Sequence, residues 1–240
     1  MRIALCAVIL MACASVGGQA HQAFNLSGRL ELVDLPPEAT PVEVLGAVRL
    51  MRLSEGRGYP VDAQPDRDGR FVLKDVRPGH YSLELSFPGR IRTFSSGSRE
   101  LAPDGLELTS GDVELLQIIV SLKTSVLSVK ARGLPEKRDE VIVLLAPADP
   151  YLTFRQSCTF NKLTSPQTIF GYVPPGKYRI FIVDSQFQSD VAAYGPRFPD
   201  FLQDQATPVE VSENGQTEVT ATYVDRETVT AAIRQAGPLH

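Results

Sequence analysis

The sequence contains three histidines, the side chain most often used for transition-metal binding and for proton transfer near neutral pH. His21 would become the first residue of a chain cleaved after Ala20, and an amino-terminal histidine can chelate copper through its amine and imidazole. Such a site needs a second histidine, for which His80 is the available candidate. Because His80 directly follows Gly79 in a turn, we expect it to be an ordinary exposed residue. The sequence therefore predicts no copper site and no cofactor.

Two pairs of carboxylates and Cys158, the one cysteine of three that lies outside residues 1–20, complete the reactive groups. Asp66/Asp68 and Asp200/Asp204 have a spacing that could bind calcium weakly, but they lie in turn-like segments where aspartate usually bonds to the backbone. Cys158 stands between a serine and a threonine, with no histidine near it in sequence, which is typical of an inert strand residue. The sequence has no nucleophile elbow, no phosphate-binding Gly-Lys-Ser/Thr loop and no zinc-binding cysteine pair. We therefore predict no catalytic residues and no metal ligands.

Aromatic residues in one long excursion give the best candidate binding surface. Tyr194, Phe198 and Phe201 lie among prolines within residues 186–205, which a β-sandwich does not itself require. Exposed aromatic rings stack on sugars, so these three side chains are the predicted binding residues. The alternative is that they fold back as a cluster that covers the end of a sandwich.

Composition excludes several classes of protein. The chain has 240 residues, with 24 basic and 28 acidic side chains, a net charge of −4, and no long run of Lys or Arg. Electrostatic nucleic-acid binding is therefore not expected. The apolar fraction of 43% is enough for packed cores. Short β-rich runs separated by turn residues recur through the chain, a pattern typical of a sandwich or barrel.

An internal repeat divides these strands into two sets. Val76-Arg-Pro-Gly-His-Tyr-Ser-Leu83 aligns with Val173-Pro-Pro-Gly-Lys-Tyr-Arg-Ile180 at an offset of 97 positions. In each copy a Pro-Gly pair predicts a type II turn with glycine at positive φ, followed by a strand with one buried face. A separate Asp-Gly signal upstream predicts a hairpin. The predicted structural turn residues are Gly69, Pro78, Gly79, Pro175 and Gly176.

These motifs resemble the carboxypeptidase regulatory-like domain. The resemblance rests on Gly-Arg-Phe at 69–71, Val-x-Pro-Gly-x-Tyr in both copies, Gly105–Asp112 before an apolar strand, and Pro199–Leu202 before the last strands. It extends over residues 24–225 and is also similar to tandem arrangements in secreted acidobacterial proteins. It implies an all-β fold of two tandem prealbumin-like (Ig-like, Greek-key) sandwiches, at residues 22–122 and 123–225, followed by a tail at 226–240. For Arg226–Gln235 the expectation is a short helix or a frayed end.

The same fold group includes enzymes, and their site residues are missing here. Intradiol dioxygenases use two Tyr and two His to hold iron, and no such spacing occurs in this chain. Transthyretin-like hydroxyisourate hydrolases end in Tyr-Arg-Gly-Ser, whereas this sequence ends in Ala236-Gly-Pro-Leu-His240. The resemblance therefore implies a module without catalysis.

The first twenty residues are typical of an export signal. A basic start at Arg2 precedes twelve apolar residues, Ile3–Ala14, which are too few to span a membrane, and a small-residue stretch ends at Ala20. We expect cleavage after Ala20, or alternatively after Ala14, and a secreted or periplasmic protein without a transmembrane segment. Leu10–Cys13 also resembles a lipoprotein processing box, so acylation of Cys13 and anchoring to the outer membrane is the alternative.

The function that follows is recognition. We expect an exported, non-catalytic binding or cell-envelope scaffolding protein whose partner is a protein or a polysaccharide of the envelope, and not a nucleic acid. The alternative is a carbohydrate-binding protein that uses the aromatic residues of the second domain.

Overall fold

The computed structural model describes residues 23–35, 46–53, 60–109, 115–134, 140–153, 159–163, 166–213 and 215–237. The predicted export signal with Cys13 lies outside these residues, as do His21, Cys158 and His240. Among the described residues the structure is mostly strands, which confirms the all-β fold class.

The strands form two sandwiches in succession along the chain. The first sandwich is built from β1 (Phe24–Val33), β2 (Val48–Arg52), β3 (Val61–Ala63), β4 (Arg70–Val76), β5 (Gly79–Leu85), β6 (Arg90–Ser96), β7 (Arg99–Glu100), β8 (Leu106–Leu108) and β9 (Leu116–Ser121). The second is built from β10 (Ser125–Arg132), β11 (Val141–Pro147), β12 (Thr159–Lys162), β13 (Gln167–Val173), β14 (Gly176–Asp184), β15 (Thr207–Val211) and β16 (Gln216–Thr222).

Each sandwich packs two sheets around an apolar core. In the first, the sheet β4-β1-β9-β6-β7 faces the sheet β3-β2-β5-β8 across a cluster that includes Leu50, Leu83 and Phe94. In the second, β13-β10-β16 faces β12-β11-β14-β15 across a cluster that includes Leu127, Val143 and Ile180. The alternation of apolar and polar residues along β5 places one face of that strand in the core. Whether each sandwich folds as an independent domain, with a boundary at residue 122, stays a prediction.

The two sandwiches repeat one topology. The first strand of each pairs in parallel with the last, β1 with β9 and β10 with β16, and antiparallel with a middle strand, β4 or β13. Both antiparallel pairs have a register shift, one at Phe24/Leu26 and the other at Ser125/Leu127, which leaves one extra residue in the middle strand. The bulges contain Asp75 and Tyr172, and both of these non-glycine residues have φ of 56°.

The repeated Pro-Gly motifs lie at the same place in each sandwich, where β5 and β14 begin. Gly79 and Gly176 both have φ of 155°, a positive value that favours glycine. The predicted type II turn is wrong, however, because glycine in that turn has φ near +80°. The glycine enters its strand directly, and the tyrosine two residues later holds the motif together. Tyr81 donates to the Arg77 carbonyl and Tyr178 to the Pro174 carbonyl, each at 2.7 Å.

A third apolar cluster lies on the outer face of the sheet β12-β11-β14-β15. That face carries Ile142, Leu144, Phe181 and Val183, all fully buried. It is covered by helices α1 (Gln188–Tyr194), α2 (Phe198–Phe201) and α3 (Arg226–Ala236), with 3-10 turns at Ser185–Phe187, Gly195–Arg197 and Gln203–Gln205. The tail is therefore a helix, capped by the Asp225 carboxylate, which accepts from the Thr228 N–H at 2.9 Å.

Candidate functional site

The structure separates the three predicted binding aromatics. Phe198 is completely buried in the third cluster, so it cannot stack on a ligand, and its prediction as a binding residue is wrong. Tyr194 and Phe201 are partly buried and meet edge-to-face, with ring centroids 5.1 Å apart and an interplanar angle of 87°. Tyr194 also donates to the Gly237 carbonyl at 3.1 Å. These rings do not form the coplanar, exposed platform on which a sugar would stack.

The reason for this burial is the strand composition beneath the excursion. β11 and β14 are apolar on both faces, so the sheet needs a cover on its outer side as well as its inner side. The continuous apolar run from Val141 to Ala146 is the signal in the sequence that indicates a strand buried on both faces. The excursion at 186–205 therefore supplies part of a core.

The predicted carboxylate pairs serve the structure. One oxygen of the Asp66 carboxylate accepts from the backbone N–H groups of Asp68 and Arg70, at 2.9 and 2.8 Å, which closes the hairpin before β4. Asp200 pairs with Arg179 at 3.1 Å. Within the described part of the chain, no group of three or more His, Cys, Asp or Glu side chains is placed to hold a metal ion.

One buried carboxylate ties the third cluster together. Asp184 ends β14, accepts from the Gln186 N–H at 3.0 Å and pairs with Arg226 of α3 at 2.5 Å. Burial raises the pKa of Asp184, but the hydrogen bonds from Arg226 and Gln186 outweigh that effect, and the pKa lies below its ordinary value. The group is therefore an ionised anchor between β14 and α3.

A set of polar contacts between distant elements forms where the two sandwiches meet. The segment Asp149–Thr153, which follows β11, lies along the free edge of β6 in the first sandwich. The Ile91 N–H donates to the Tyr151 carbonyl at 2.7 Å, and the Thr153 N–H donates to the Gly89 carbonyl at 3.1 Å. The Tyr151 ring packs against the core of the first sandwich. We call this contact the joint.

Arg90 is the central side chain of the joint. Its Nη1 pairs with the Asp149 carboxylate at 2.5 Å and donates to the Pro175 carbonyl at 3.0 Å, in the Pro-Gly motif of the second sandwich. The buried hydroxyl of Thr153 lies between two backbone carbonyls of the first sandwich and can donate to either. Its oxygen is 2.6 Å from the Phe87 carbonyl and 3.1 Å from the Gly89 carbonyl. These bonds join backbone and side chains of both sandwiches, so the joint fixes their relative orientation.

An apolar cleft opens beside the joint. Pro88 and Gly89 of the first sandwich form one side, and the remaining lining residues belong to the second: Leu145, Pro147, Leu152, Thr159, Phe170, Gly171, Tyr172, Val173, Pro174 and Tyr178. The cleft has a volume of about 90 Å³ and is partly open to solvent. Among the residues that the structure describes, none of the lining side chains is charged. Burial raises the pKa of Tyr178, whose hydroxyl is already used in the bond to Pro174.

Comparisons with known proteins give no family for this chain. No family model matches the sequence, and no curated protein matches it. Solved structures with a similar arrangement include a minor pilin of Streptococcus agalactiae, at 11% identity and a TM-score of 0.38, with 82% of this chain and 94% of the pilin aligned. The major pilin of Streptococcus pyogenes aligns at 10% identity and a TM-score of 0.27, over 84% of this chain and 97% of that one. The resemblance to the carboxypeptidase regulatory-like domain stays a prediction.

A third similar structure is longer than this chain. The TIE protein of Bacillus anthracis aligns at 12% identity and a TM-score of 0.27, over 84% of this chain but only 34% of its own length. The chain thus spans about a third of that protein. Among the described helices, none is long and apolar enough to cross a membrane.

Sequence reasoning did not predict the joint or the cleft. The joint brings together Arg90 and Asp149, which are far apart in the chain, and nothing in either local sequence indicates the pairing. The cleft has a visible signal only after alignment of the two copies. The first copy has charged residues at the positions where the second has Pro147, Gly171 and Pro174.

Proposed function

We propose that this protein is an exported, non-catalytic recognition protein of the cell envelope, in which the joint makes the two sandwiches act as one rigid unit. The joint is the observation that carries the proposal. A flexible linker would leave each sandwich to bind independently, whereas Arg90, Asp149 and Thr153 fix one orientation. A surface that is already ordered loses less conformational freedom on binding, and so binds more tightly for the same contacts.

The distribution of ionisable groups supports recognition over catalysis. The carboxylates whose pKa is lowered have structural partners: Asp184 is paired with Arg226, Glu213 with Arg92 and Lys123, and Asp225 with the first turn of α3. A catalytic acid or base needs a pKa shifted toward the operating pH and access to substrate. The pKa values of the three carboxylates just named are shifted away from neutral pH, because their partners stabilise the ionised form.

Co-sedimentation with isolated envelopes of the native host tests the proposal. The purified chain without residues 1–20 is expected to sediment with the envelopes and to saturate. The Arg90→Ala chain, with a loosened joint, should bind at least tenfold more weakly, because binding must then also fix the relative orientation of the two sandwiches. Arg52→Ala is the matched control, since Arg52 makes the corresponding contact within the first sandwich alone. A native chain that does not bind envelopes saturably would contradict the proposal.

A further inference from the structure

The cleft beside the joint has the features of a socket for part of another protein. It is concave, its described lining side chains are uncharged, and both sandwiches contribute to its wall. We propose that it binds an extended, proline-containing peptide segment of a partner protein, with Tyr172 as the side chain that closes over the segment. This inference rests on the proposed recognition function and names the surface that performs it.

The first argument is the difference between the two copies. The register of β5 with β2 and of β14 with β11 places Arg52 and Pro147 opposite equivalent tyrosines. The repeat likewise equates Lys74 with Gly171. In the first copy the motif is surrounded by exposed, charged side chains, namely those of Arg52, Lys74, Asp75 and Arg77. In the second copy Pro147, Gly171, Tyr172 and Pro174 stand there instead.

This exchange decides the charge of the occupant. Because none of the described lining side chains is charged, an ionised ligand would lose its hydration without gaining a counter-charge from them. The nearest charged groups of the joint, Arg90 and Asp149, are paired with each other at 2.5 Å. The cleft therefore suits a neutral, apolar segment.

The second argument is the conformation of Tyr172. Its residue is 83% exposed, the most exposed of the large apolar and aromatic residues in the described chain. Its backbone has φ of 56°, a conformation that is an outlier for a bulky side chain and carries backbone strain. At the equivalent position of the other bulge the chain has Asp75, a residue type that tolerates this conformation. The fold thus holds an aromatic ring in solvent at an energetic cost, and tyrosine is enriched among the residues that dominate protein interfaces.

The third argument identifies a proline-containing segment as the occupant. The cleft is lined by three prolines and three aromatic rings: Pro88, Pro147, Pro174, Phe170, Tyr172 and Tyr178. Grooves lined by aromatic residues bind polyproline II segments, which are extended before they bind and so lose little entropy. The cleft is also continuous with the joint, and Leu152 belongs to both. Phe170 and Tyr178 are buried at the base of the cleft and Tyr172 is exposed at its edge, so an extended segment would run from Tyr172 toward the line where the two sandwiches meet.

Titration of the ¹⁵N-labelled chain with a capped octapeptide of alternating proline and leucine tests this assignment. We expect saturable shifts in the amide signals of Gly171, Val173 and Leu152, and none with a glycine–serine octapeptide. Tyr172→Gly should weaken peptide binding at least tenfold without lowering Tm, because glycine adopts the same φ without strain. Asp75→Gly makes the same change in the other bulge and should leave peptide binding unchanged.

Four results would overturn the socket. One is equal peptide affinity of the native and Tyr172→Gly chains, another is no peptide binding at all, and the third is a shift of the same amides by sodium octanoate but not by the peptide, which would indicate a lipid site. Undiminished co-sedimentation of Tyr172→Gly with envelopes would also overturn it, and would leave the proposed recognition function standing. Failure of the native chain to bind envelopes would instead contradict that function.

Discussion

Arg90 of the first sandwich makes, in the second sandwich, the contact that Arg52 makes within the first. Arg90 Nη1 lies 3.0 Å from the Pro175 carbonyl oxygen, and Arg52 Nη2 lies 3.2 Å from the Pro78 carbonyl oxygen. The second sandwich has Pro147 at the position of Arg52, and proline cannot donate this bond. The second copy of the motif is therefore completed by a side chain of the other sandwich.

Removal of this side chain should loosen the joint. Arg90→Ala removes two hydrogen bonds and leaves the Asp149 carboxylate, 11% exposed, without its cation. Hydrogen bonds to charged groups contribute about 1.5–3 kcal/mol, so we expect a loss of that order in the stability of the joint. Small-angle X-ray scattering should show a larger radius of gyration for Arg90→Ala and an unchanged one for Arg52→Ala. Equal radii for both variants and the native chain would contradict a joint that depends on Arg90.

Alanine at the two repeated glycines should separate backbone strain from the joint. Both positions have φ of 155°, so Gly79→Ala and Gly176→Ala should each lower the free energy of unfolding by about 1–3 kcal/mol. A Cβ on Gly176 would also lie 2.8 Å from Arg90 Nη1 and 3.1 Å from Leu152, whereas one on Gly79 meets only Arg52, at 3.2 Å. Only Gly176→Ala should therefore change the scattering curve as well. If both variants melt at the native Tm, the strain argument fails.

Phe198→Ala should destabilise the protein through the third cluster. The ring is fully buried, and truncation of a buried phenylalanine costs about 3–5 kcal/mol. Phe160→Ala, at a ring that is 38% exposed, is the control and should cost much less. Urea denaturation of both variants measures the difference. A native-like urea midpoint for Phe198→Ala would contradict a stabilising role of the third cluster. The excursion at 186–205 would then be a loop that can be deleted without loss of stability.

The Asp184–Arg226 pair should contribute a pH-dependent part of the stability. Because the folded pKa of Asp184 lies below its ordinary value of 3.8, the pair stabilises the fold fully above about pH 5. This contribution is lost as the pH falls through 3.8 toward the folded pKa, where the carboxyl group becomes protonated. Arg226→Gln should therefore be less stable than the native chain at pH 7, and the difference should shrink below pH 4. Arg234→Gln, in the last turn of the same helix, is the control. A difference that is constant from pH 7 to pH 2.5 would exclude the ion pair as its cause.

Amino-terminal sequencing of the protein from its native host should find His21 as the first residue. This follows from the basic start, short apolar run and small-residue exit within residues 1–20. A blocked terminus with a lipid mass would instead indicate acylated Cys13. An intact Met1 would contradict export.

Features encoded by residues close together in the sequence can be predicted from it, whereas features that depend on distant residues cannot. The repeat around Tyr81 and Tyr178 was predicted because turn residues and period-two alternation lie within ten residues of each other. The strand β6 (Arg90–Ser96) was missed because its alternation is weak, with serines and arginines on the outer face. The helix α3 was left open because its apolar side is narrow and is defined by the sheet on which it packs.

The candidate site depends on signals of longer range. The tyrosine in the second bulge could have been noticed as an aromatic residue at the position of Asp75, but its φ follows from the register of β10 and β13, which no local pattern gives. The prolines around Phe198 leave two predictions open, an exposed binding ring and a ring folded back into a covering cluster, and the structure has the second. The apolar run of β11 is the signal that favours it, because a strand that is apolar on both faces needs a second cover.

The pairing of β1 with β9 and of β10 with β16 has a consequence for the order of folding. Each sandwich begins with a strand whose parallel partner is the last strand of the same unit, as the register Leu127↔Thr217 shows for the second. Such contacts between distant residues close a long loop, which raises the entropic barrier to folding and slows it. A chain that leaves a ribosome or a translocation channel from its amino terminus can complete the first unit once Ser121 has emerged. The second must wait for Thr222, so the emergence of β16 decides when the second sandwich becomes compact.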